Sequence, residues 1–290
     1  MKLTELFAKD TINLSFEVFP NKKPENLESV KAKAAQIAAL KPAFMSVTYG
    51  AGGGTSRFTL DIAKNIKDNC GVPVLAHLTG VSSTKEVVAQ RIEELKAAGI
   101  QNIMALRGDL TPEMEGQDRS GWAYRYAIDL IHELKEKGDF CIGGGCYPEV
   151  HPEAANMAED MKHLKEKVDA GCDFLTTQMV FDNGMFFSYL YKLRENGIMV
   201  PVIPGIMPIT QAKQVESSIK MSGSFMPQKF RTLVDKFGYN DAAMKQAGIA
   251  YATEQIIDLY ANGINNVHVY SMNKPDVAEA IMRNVKDILG

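Results

Sequence analysis

The stretch Ala97-Ala98-Gly99-Ile100, followed by the apolar run Asn102-Ile103-Met104-Ala105-Leu106, decides the fold. A glycine after a helical run supplies the left-handed backbone conformation that ends a helix, and the apolar run that follows predicts a strand. The same arrangement recurs around three more glycines, Gly171, Gly197 and Gly263. Four junctions of one kind indicate an internal β/α repeat.

Eight β-rich runs, separated by amphipathic helical segments, are predicted as strands. They cover residues 12–19, 44–49, 73–79, 102–108, 140–148, 173–180, 201–207 and 265–272. This alternation favours an α/β fold, a (β/α)8 TIM barrel, over an open doubly wound sheet. The longer step between the last two strands predicts an extra helical segment around residues 223–239. We expect one catalytic barrel domain over residues 1–290, with a helix beginning at Ser83 and Glu86 placed for its capping box.

Composition narrows the classes of partner. The net charge of -3 offers no basic field to a polyanion, so nucleic acid is not expected as a partner. The sequence has no apolar run long enough to span a bilayer, which predicts a cytoplasmic protein without a membrane partner. The four cysteines form no C-x-x-C pair, so we expect buried thiols rather than disulfides or a metal site.

Glu17 stands alone among apolar residues in the first predicted strand, Ser15-Phe16-Glu17-Val18-Phe19. Strand alternation places it on the face opposite Phe16 and Val18. A buried carboxyl group without a partner retains its proton and can act as a general acid near neutral pH. The structural alternative is an edge strand, or a Glu paired with a nearby lysine.

The predicted carboxyl ends of the strands, where barrel enzymes carry their chemistry, hold polar or ring-bearing residues. His77 alone is as consistent with packing as with function. Arg107 and Asp109, on either side of Gly108, either bind a ligand or neutralise each other. The glycines of the fifth strand, residues 143–145, are expected to make room for something flat. Together these residues suit a mouth that holds a flat heterocycle and manages its charge.

Seven motifs, in order and over almost the whole chain, resemble the catalytic barrel of the methylenetetrahydrofolate reductases. They are Ser15–Pro20, Ser46–Ala51, Ala76–Thr79, Ala105–Asp109, Tyr147–Glu153, Leu164–Gly171 and Ile203–Ile206. The resemblance implies a bound FAD. The flavin would take a hydride from a reduced donor and pass it to 5,10-methylenetetrahydrofolate, giving 5-methyltetrahydrofolate.

The resemblance also implies roles for individual residues. Glu17 would be the general acid, Asp109 would stabilise the cationic folate and tune the flavin, and Gln178 would hydrogen-bond the folate. Gln214 and Lys274 fall on further substrate positions. The flavin-contacting positions are Thr48, Tyr49, Ala51, His77, Arg107, Gly108, Asp109, Ala127, Tyr147, His151, Asp160, His163, Glu166 and Lys167.

Several positions depart from the family's bacterial pattern. His163 and Glu166 replace an expected Asn and Arg beside the flavin, and Lys274 replaces an Arg. Ser218 replaces the aromatic ring expected to stack on the nicotinamide dinucleotide. Direct use of NADH is the first hypothesis for the electron donor, with NADPH or an electron-donating partner subunit as alternatives, in a homo- or hetero-oligomer.

Two other functions stay open at the level of the sequence. One is a pterin-binding barrel that transfers a methyl group without a flavin. The other is a flavin-carrying subunit of a larger electron-transfer complex. The methyl-transferring barrel would lack the flavin absorbance of a reductase. The flavin-carrying subunit would show no turnover with pyridine nucleotide alone.

Overall fold

Eight parallel strands close into a barrel, and helices surround it. The computed structural model describes residues 1–21, 23–49, 56–111, 114 and 116–290. Each strand pairs in parallel with the next one along the chain, and the last pairs with the first. Within these ranges no helix is both long and apolar enough to cross a membrane.

The strands and helices alternate along the chain. The strands are β1 (Asn13–Val18), β2 (Met45–Val47), β3 (Val74–Thr79), β4 (Asn102–Leu106), β5 (Cys141–Cys146), β6 (Phe174–Val180), β7 (Val202–Ile206) and β8 (Asn266–Tyr270). The helices are α1 (Leu3–Phe7), α2 (Leu27–Ala38), α3 (Ser56–Lys64), α4 (Lys85–Ala97), α5 (Ala127–Lys137), α6 (Met157–Asp169), α7 (Asn183–Glu195), α8 (Lys213–Ser222), α9 (Gln228–Phe237), α10 (Asp241–Ala261) and α11 (Pro275–Leu289). Short 3-10 and π segments, Pro24–Asn26 and Asn65–Asn69, adjoin α2 and α3.

The predicted barrel is confirmed, and every strand lies inside its predicted range. The extra helical segment predicted around residues 223–239 is also confirmed, since α9 lies there between α8 and α10. The glycines of the four repeated junctions have positive φ angles: Gly99 65°, Gly171 113°, Gly197 71° and Gly263 82°. These angles are the left-handed conformation that the sequence pattern predicted at the helix ends.

The predicted start of the helix after β3 is wrong by two residues. Helix α4 begins at Lys85, and its N-cap is Thr84, whose side chain accepts a hydrogen bond from the Val87 amide. Ser83 lies one residue before this cap, and its hydroxyl donates to the Val81 carbonyl. A serine that bonds to nearby backbone in this way belongs to the turn rather than to the helix.

The barrel is filled at its amino end and polar at its carboxyl end. Outward-facing strand residues such as Phe16 and Val18 pack against the helices. Helix α1 closes the amino end, because Leu3 and Leu6 pack into an interior apolar cluster. The other buried members of this cluster are Phe44, Leu75, Met104, Cys141, Phe174 and Ile203. Apolar side chains from α1 and the strands therefore fill the amino end.

The cysteines are free thiols, as the sequence predicts. Cys141, Cys146 and Cys172 are buried, and burial raises the pKa of each thiol. The prediction of burial is wrong for Cys70, which is only partly buried because it follows the last turn of the segment after α3. None of these thiols has the lowered pKa of a reactive cysteine.

One glycine contact ties α10 to the barrel mouth and yields a stability prediction. A Cβ added at Gly248 of α10 would lie 1.7 Å from the Ile209 carbonyl oxygen, in the loop after β7. The Ile209 carbonyl belongs to the backbone and cannot change rotamer to relieve this clash. Gly248→Ala is therefore expected to lower the free energy of unfolding, measured by urea denaturation, by about 3 kcal/mol. The exposed control Ala250→Ser should change it by no more than about 0.5 kcal/mol. Equal stability of the two variants would contradict this packing.

Candidate active site

Glu17 lies inside the barrel at its carboxyl end. Its strand pairs with β2 on one side and β8 on the other, so the closed barrel leaves no free edge. The side chain is 18% exposed, and its chargeable neighbours in the described ranges are His77 and His268, not a lysine. Both structural alternatives for Glu17, an edge strand and a lysine pair, are therefore wrong.

Burial gives Glu17 the properties of an acid that keeps its proton. Loss of hydration raises the pKa of its carboxyl group to about 8, against an opposing hydrogen bond from Ser46. His77 Nε2 lies 3.6 Å from the carboxyl group. Burial lowers the pKa of His77 to about 4, so the ring is neutral at pH 7 and offers no counter-charge.

A second histidine, His268, forms the floor beneath Glu17, and the sequence interpretation missed its place there. Its Nδ1 lies 2.7 Å from Ser15 Oγ and its Nε2 lies 3.0 Å from Ser46 Oγ. Above it on β8, the Tyr270 hydroxyl donates to the Thr177 carbonyl oxygen at 2.6 Å. The sequence did contain a signal for this position. Residues two apart on a strand share a face, so His268 shares its face with Tyr270 at the predicted strand end.

Arg107 pairs with a carboxylate other than the neighbouring one. Its guanidinium lies 2.6 Å from Glu153, which also lies 3.3 Å from Arg119. The alternative that Arg107 and Asp109 neutralise each other is wrong, because Glu153 takes the Arg107 guanidinium. Asp109 is exposed and makes no hydrogen bond or ion pair with the part of the chain that the structure describes.

Gly108, between Arg107 and Asp109, lies where a side chain would clash with Val81. Its φ angle is +95°, and a Cβ would lie 2.6 Å from Val81 Cγ1. The positive φ angle and this close contact therefore both require a glycine here.

The end of β5 and helix α6 bring four of the predicted flavin-contacting residues together. The Tyr147 and His151 rings meet edge to face with centroids 4.6 Å apart. The His151 amide donates to Asp160 at 3.0 Å, and Lys167 Nζ donates to the Gly145 carbonyl at 2.8 Å. Val150, in the same loop, has a φ angle of +83°, which is strained for a β-branched residue. Such strain is concentrated at functional sites.

Other predicted flavin positions lie apart from this group. The Tyr49 ring is buried in the barrel wall, where it interacts with Arg91 of α4, and the Thr48 carbonyl accepts a hydrogen bond from Thr59. His163 and Glu166 are exposed on α6 and contact each other at 3.2 Å. Ala127 is the first residue of α5. Ala51 and the glycines at 52–54 lie outside the described residues.

The expected space beside the β5 glycines is only partly open. A Cβ at Gly143 would lie 2.5 Å from the Phe174 ring, and one at Gly144 would lie 2.9 Å from Cys172 Sγ. Both sites are therefore filled by the protein itself, which corrects the prediction for these two. Gly145 has only Leu106 nearby, at 3.6 Å. Across β4 from it, at the end of β3, the buried Thr79 hydroxyl has no hydrogen-bond partner among the described residues.

The predicted substrate residues occupy two places at the mouth. Gln178 on β6 is half-buried, and its side-chain oxygen accepts from the Met179 amide at 3.0 Å. Gln214 and Lys274 meet at Thr210, whose hydroxyl donates to the Gln214 side-chain oxygen and accepts from Lys274 Nζ at 2.7 Å. Burial lowers the pKa of Lys274. Ser218 is 2% exposed, so this position presents no surface for stacking.

The comparison with solved structures supports the fold. The chain superposes on an uncharacterized protein from Clostridium thermocellum that binds two copies of 5-methyl-5,6,7,8-tetrahydrofolic acid, with a TM-score of 0.66 and 15% sequence identity. The match covers 100% of this chain and 99% of that protein. At this identity the likeness shows a shared fold and nothing about activity.

Sequence relatives identify the family. Residues 2–286 match the family described as Methylenetetrahydrofolate reductase. A 5,10-methylenetetrahydrofolate reductase from Pectobacterium carotovorum is 34% identical over 270 residues, which cover 93% of this chain and 89% of the relative. Methylenetetrahydrofolate reductase (NADH) 1 from Zea mays is 34% identical over 98% of this chain, which spans 50% of its length. The chain therefore belongs to the methylenetetrahydrofolate reductase family and is an enzyme of that type.

Proposed function

We propose that this chain reduces 5,10-methylenetetrahydrofolate to 5-methyltetrahydrofolate with FAD at the carboxyl end of the barrel. The observation that carries the proposal is Glu17, a buried carboxyl group with two neutral histidines beside it and a pKa of about 8. Membership of the reductase family supplies the substrate class. A reaction on a basic folate nitrogen needs an acid, and Glu17 would supply one at the carboxyl end of the barrel.

The residues at the ends of β3, β4 and β5 fit a flat cofactor with a phosphate-bearing tail. The Thr79 hydroxyl is buried without a hydrogen-bond partner in the described ranges. Gly145 on β5 leaves open space, since a Cβ there would have only Leu106 nearby. Lys167 and the amino end of α5 at Ala127 would supply cationic and helix-end groups of the kind that hold phosphates, and Arg107 would add a guanidinium whose charge Glu153 partly offsets. When bound, FAD would supply the hydride that reduces the methylene carbon.

Glu17 and Asp109 would divide the work on the folate. Glu17, as a neutral acid, would donate its proton to the folate nitrogen that leaves the methylene carbon when the five-membered ring opens. The open form carries an iminium cation, and the exposed carboxylate of Asp109 would stabilise that positive charge. Gln178, Gln214 and Lys274 would orient the substrate through an amide, a second amide and an ammonium group.

The acid assignment predicts a pH dependence. A general acid is active only while it holds its proton, so the rate of folate reduction is expected to fall as the pH rises through about 8. The measurement is the pH profile of reoxidation of pre-reduced enzyme by methylenetetrahydrofolate, which removes the donor step. A rate that stays constant across this range would contradict the acid role of Glu17.

The electron donor is the least constrained part of the proposal. NADH is the first candidate, supported by the name of the maize relative. Ser218, buried and without a ring, favours an electron-donating partner subunit as the second. Anaerobic mixing of the flavin-loaded protein with NADH or NADPH tests both, because rapid bleaching of the flavin supports a self-sufficient reductase. No bleaching with either nucleotide would overturn direct use of NADH and NADPH.

The same sample tests the remaining alternative of a methyl-transferring barrel without a flavin. The superposition on a protein that binds methyltetrahydrofolate is compatible with that alternative as well. A protein of that kind would be colourless and would not retain FAD on gel filtration. Retention of FAD with flavin absorbance is the result that we expect.

A further inference from the structure

His268 is the buried titratable group that the proposed reaction leaves without a role. The residue is 3% exposed, and its ring stacks on Phe44 with an interplanar angle of 4°. Stacking fixes the plane of the imidazole, and Ser15 and Ser46 contact its two nitrogens. The contacts with Phe44, Ser15 and Ser46 therefore fix the orientation of the imidazole in the barrel interior.

The hydrogen bonds around this ring favour one tautomer. When the Ser15 hydroxyl donates to the Val267 carbonyl at 3.1 Å, its oxygen accepts a hydrogen from His268 Nδ1, and we assign the imidazole proton to Nδ1 on this basis. A neutral imidazole has one N–H, so Nε2 is then an acceptor. The nearest donor to Nε2 is the Ser46 hydroxyl, at 3.0 Å.

Ser46 has one hydroxyl hydrogen and two acceptors within reach. Besides His268 Nε2 at 3.0 Å, the Glu17 carboxyl oxygen lies at 3.3 Å. A hydrogen bond to a carboxylate stabilises its charged form, whereas a hydroxyl that donates elsewhere can only accept from the neutral acid. The two acceptors therefore compete, and the result of the competition changes the charge state of Glu17.

We propose that His268 is a positioning residue that competes with Glu17 for the Ser46 hydroxyl hydrogen, which favours a neutral Glu17 carboxyl group that is ready to donate a proton. The chemical meaning of this role rests on the proposed function of Glu17 as general acid. The arrangement itself stands on the contacts among Ser15, His268, Ser46 and Glu17.

The other groups that face Glu17 leave this competition decisive. His77 from β3 lies 3.6 Å from the carboxyl group, and burial makes it neutral at pH 7. Tyr270 from β8 is also neutral, because burial and the nearby Glu17 raise its pKa. Within the described ranges, Ser46 is the one hydrogen-bond donor to the Glu17 carboxyl group. Among the described residues, the orientation of that hydroxyl therefore decides whether the Glu17 carboxylate receives a hydrogen bond.

The test is an infrared titration of the Glu17 carboxyl band in the full chain, without folate or electron donor. Loss of the band in Glu17→Gln assigns it. His268→Phe keeps a ring on Phe44 and removes the Nε2 acceptor, so the acid dissociation constant of Glu17 is expected to rise about tenfold. In a Ser46→Ala background the same substitution should leave the constant unchanged, because there is no hydroxyl hydrogen to redirect.

Two results would overturn the proposal. One is an unchanged Glu17 titration in His268→Phe, and the other is an equal shift with and without Ser46, which would indicate altered packing instead. His268→Leu also removes the acceptor and serves if the phenylalanine variant does not fold. The titration uses no turnover, so its outcome is independent of whether the protein reduces folate.

Discussion

Glu17→Gln is expected to slow the reduction of methylenetetrahydrofolate by about 10² to 10⁴-fold, the usual contribution of a positioned general acid. The amide has nearly the shape of the carboxylic acid but cannot release a proton near neutral pH. It can still hydrogen-bond to Ser46, so the mouth of the barrel should keep its structure. Oxidation of the donor by the flavin does not involve this proton and should keep its rate.

The measurement separates the two half-reactions by stopped-flow absorbance of the flavin under anaerobic conditions. Glu25→Gln is the matched control, because Glu25 follows the same strand and is exposed. It should leave both half-reactions unchanged. Full folate turnover in Glu17→Gln, or equal loss of both half-reactions, would show that Glu17 is not the acid.

Asp109→Asn is expected to lower the folate half-reaction by about 10² to 10³-fold, the size found when one preorganised electrostatic contact is removed. Asp109 is exposed at the mouth and unpaired among the described residues, unlike Arg107, whose charge Glu153 already offsets. Its charge is therefore free to act on a cation bound at this end of the barrel. The amide removes the charge and keeps the shape.

The flavin reduction potential should change as well in Asp109→Asn, because a negative charge near a flavin disfavours its reduction. Asp118→Asn in the same loop is the control, since the Asp118 carboxylate is engaged with the Ser120 amide and hydroxyl. An unaltered folate rate in Asp109→Asn would remove Asp109 from the mechanism. An equal loss in Asp118→Asn would point to the loop as a whole.

The barrel could be predicted from sequence because its signals are local. A glycine that ends a helix and a β-branched or apolar run that follows it are each read within a few residues, as at Gly99 and Gly263. The placement of Glu17 on the face opposite Phe16 and Val18 could also be predicted, because strand alternation needs no partner. These features depend on backbone conformation and periodicity, which short stretches of chain determine.

The partners of the site residues could not be predicted, because they come from distant parts of the chain. Ser15 and His268 are 253 residues apart, and only closure of the barrel between β1 and β8 brings them together. Arg107 pairs with Glu153, which lies 46 residues further along the chain, and not with Asp109 two residues away. Gly143 was expected to admit a ligand, but the space is taken by Phe174 from the next strand.

The measurement that tests the central claim most directly is a single anaerobic turnover with folate. Protein with bound, photoreduced FAD is mixed with 5,10-methylenetetrahydrofolate, and flavin absorbance and the folate product are followed together. The account predicts that the flavin reoxidises and that one 5-methyltetrahydrofolate appears for each flavin. A flavin that stays reduced, or that reoxidises without forming this product, would contradict it.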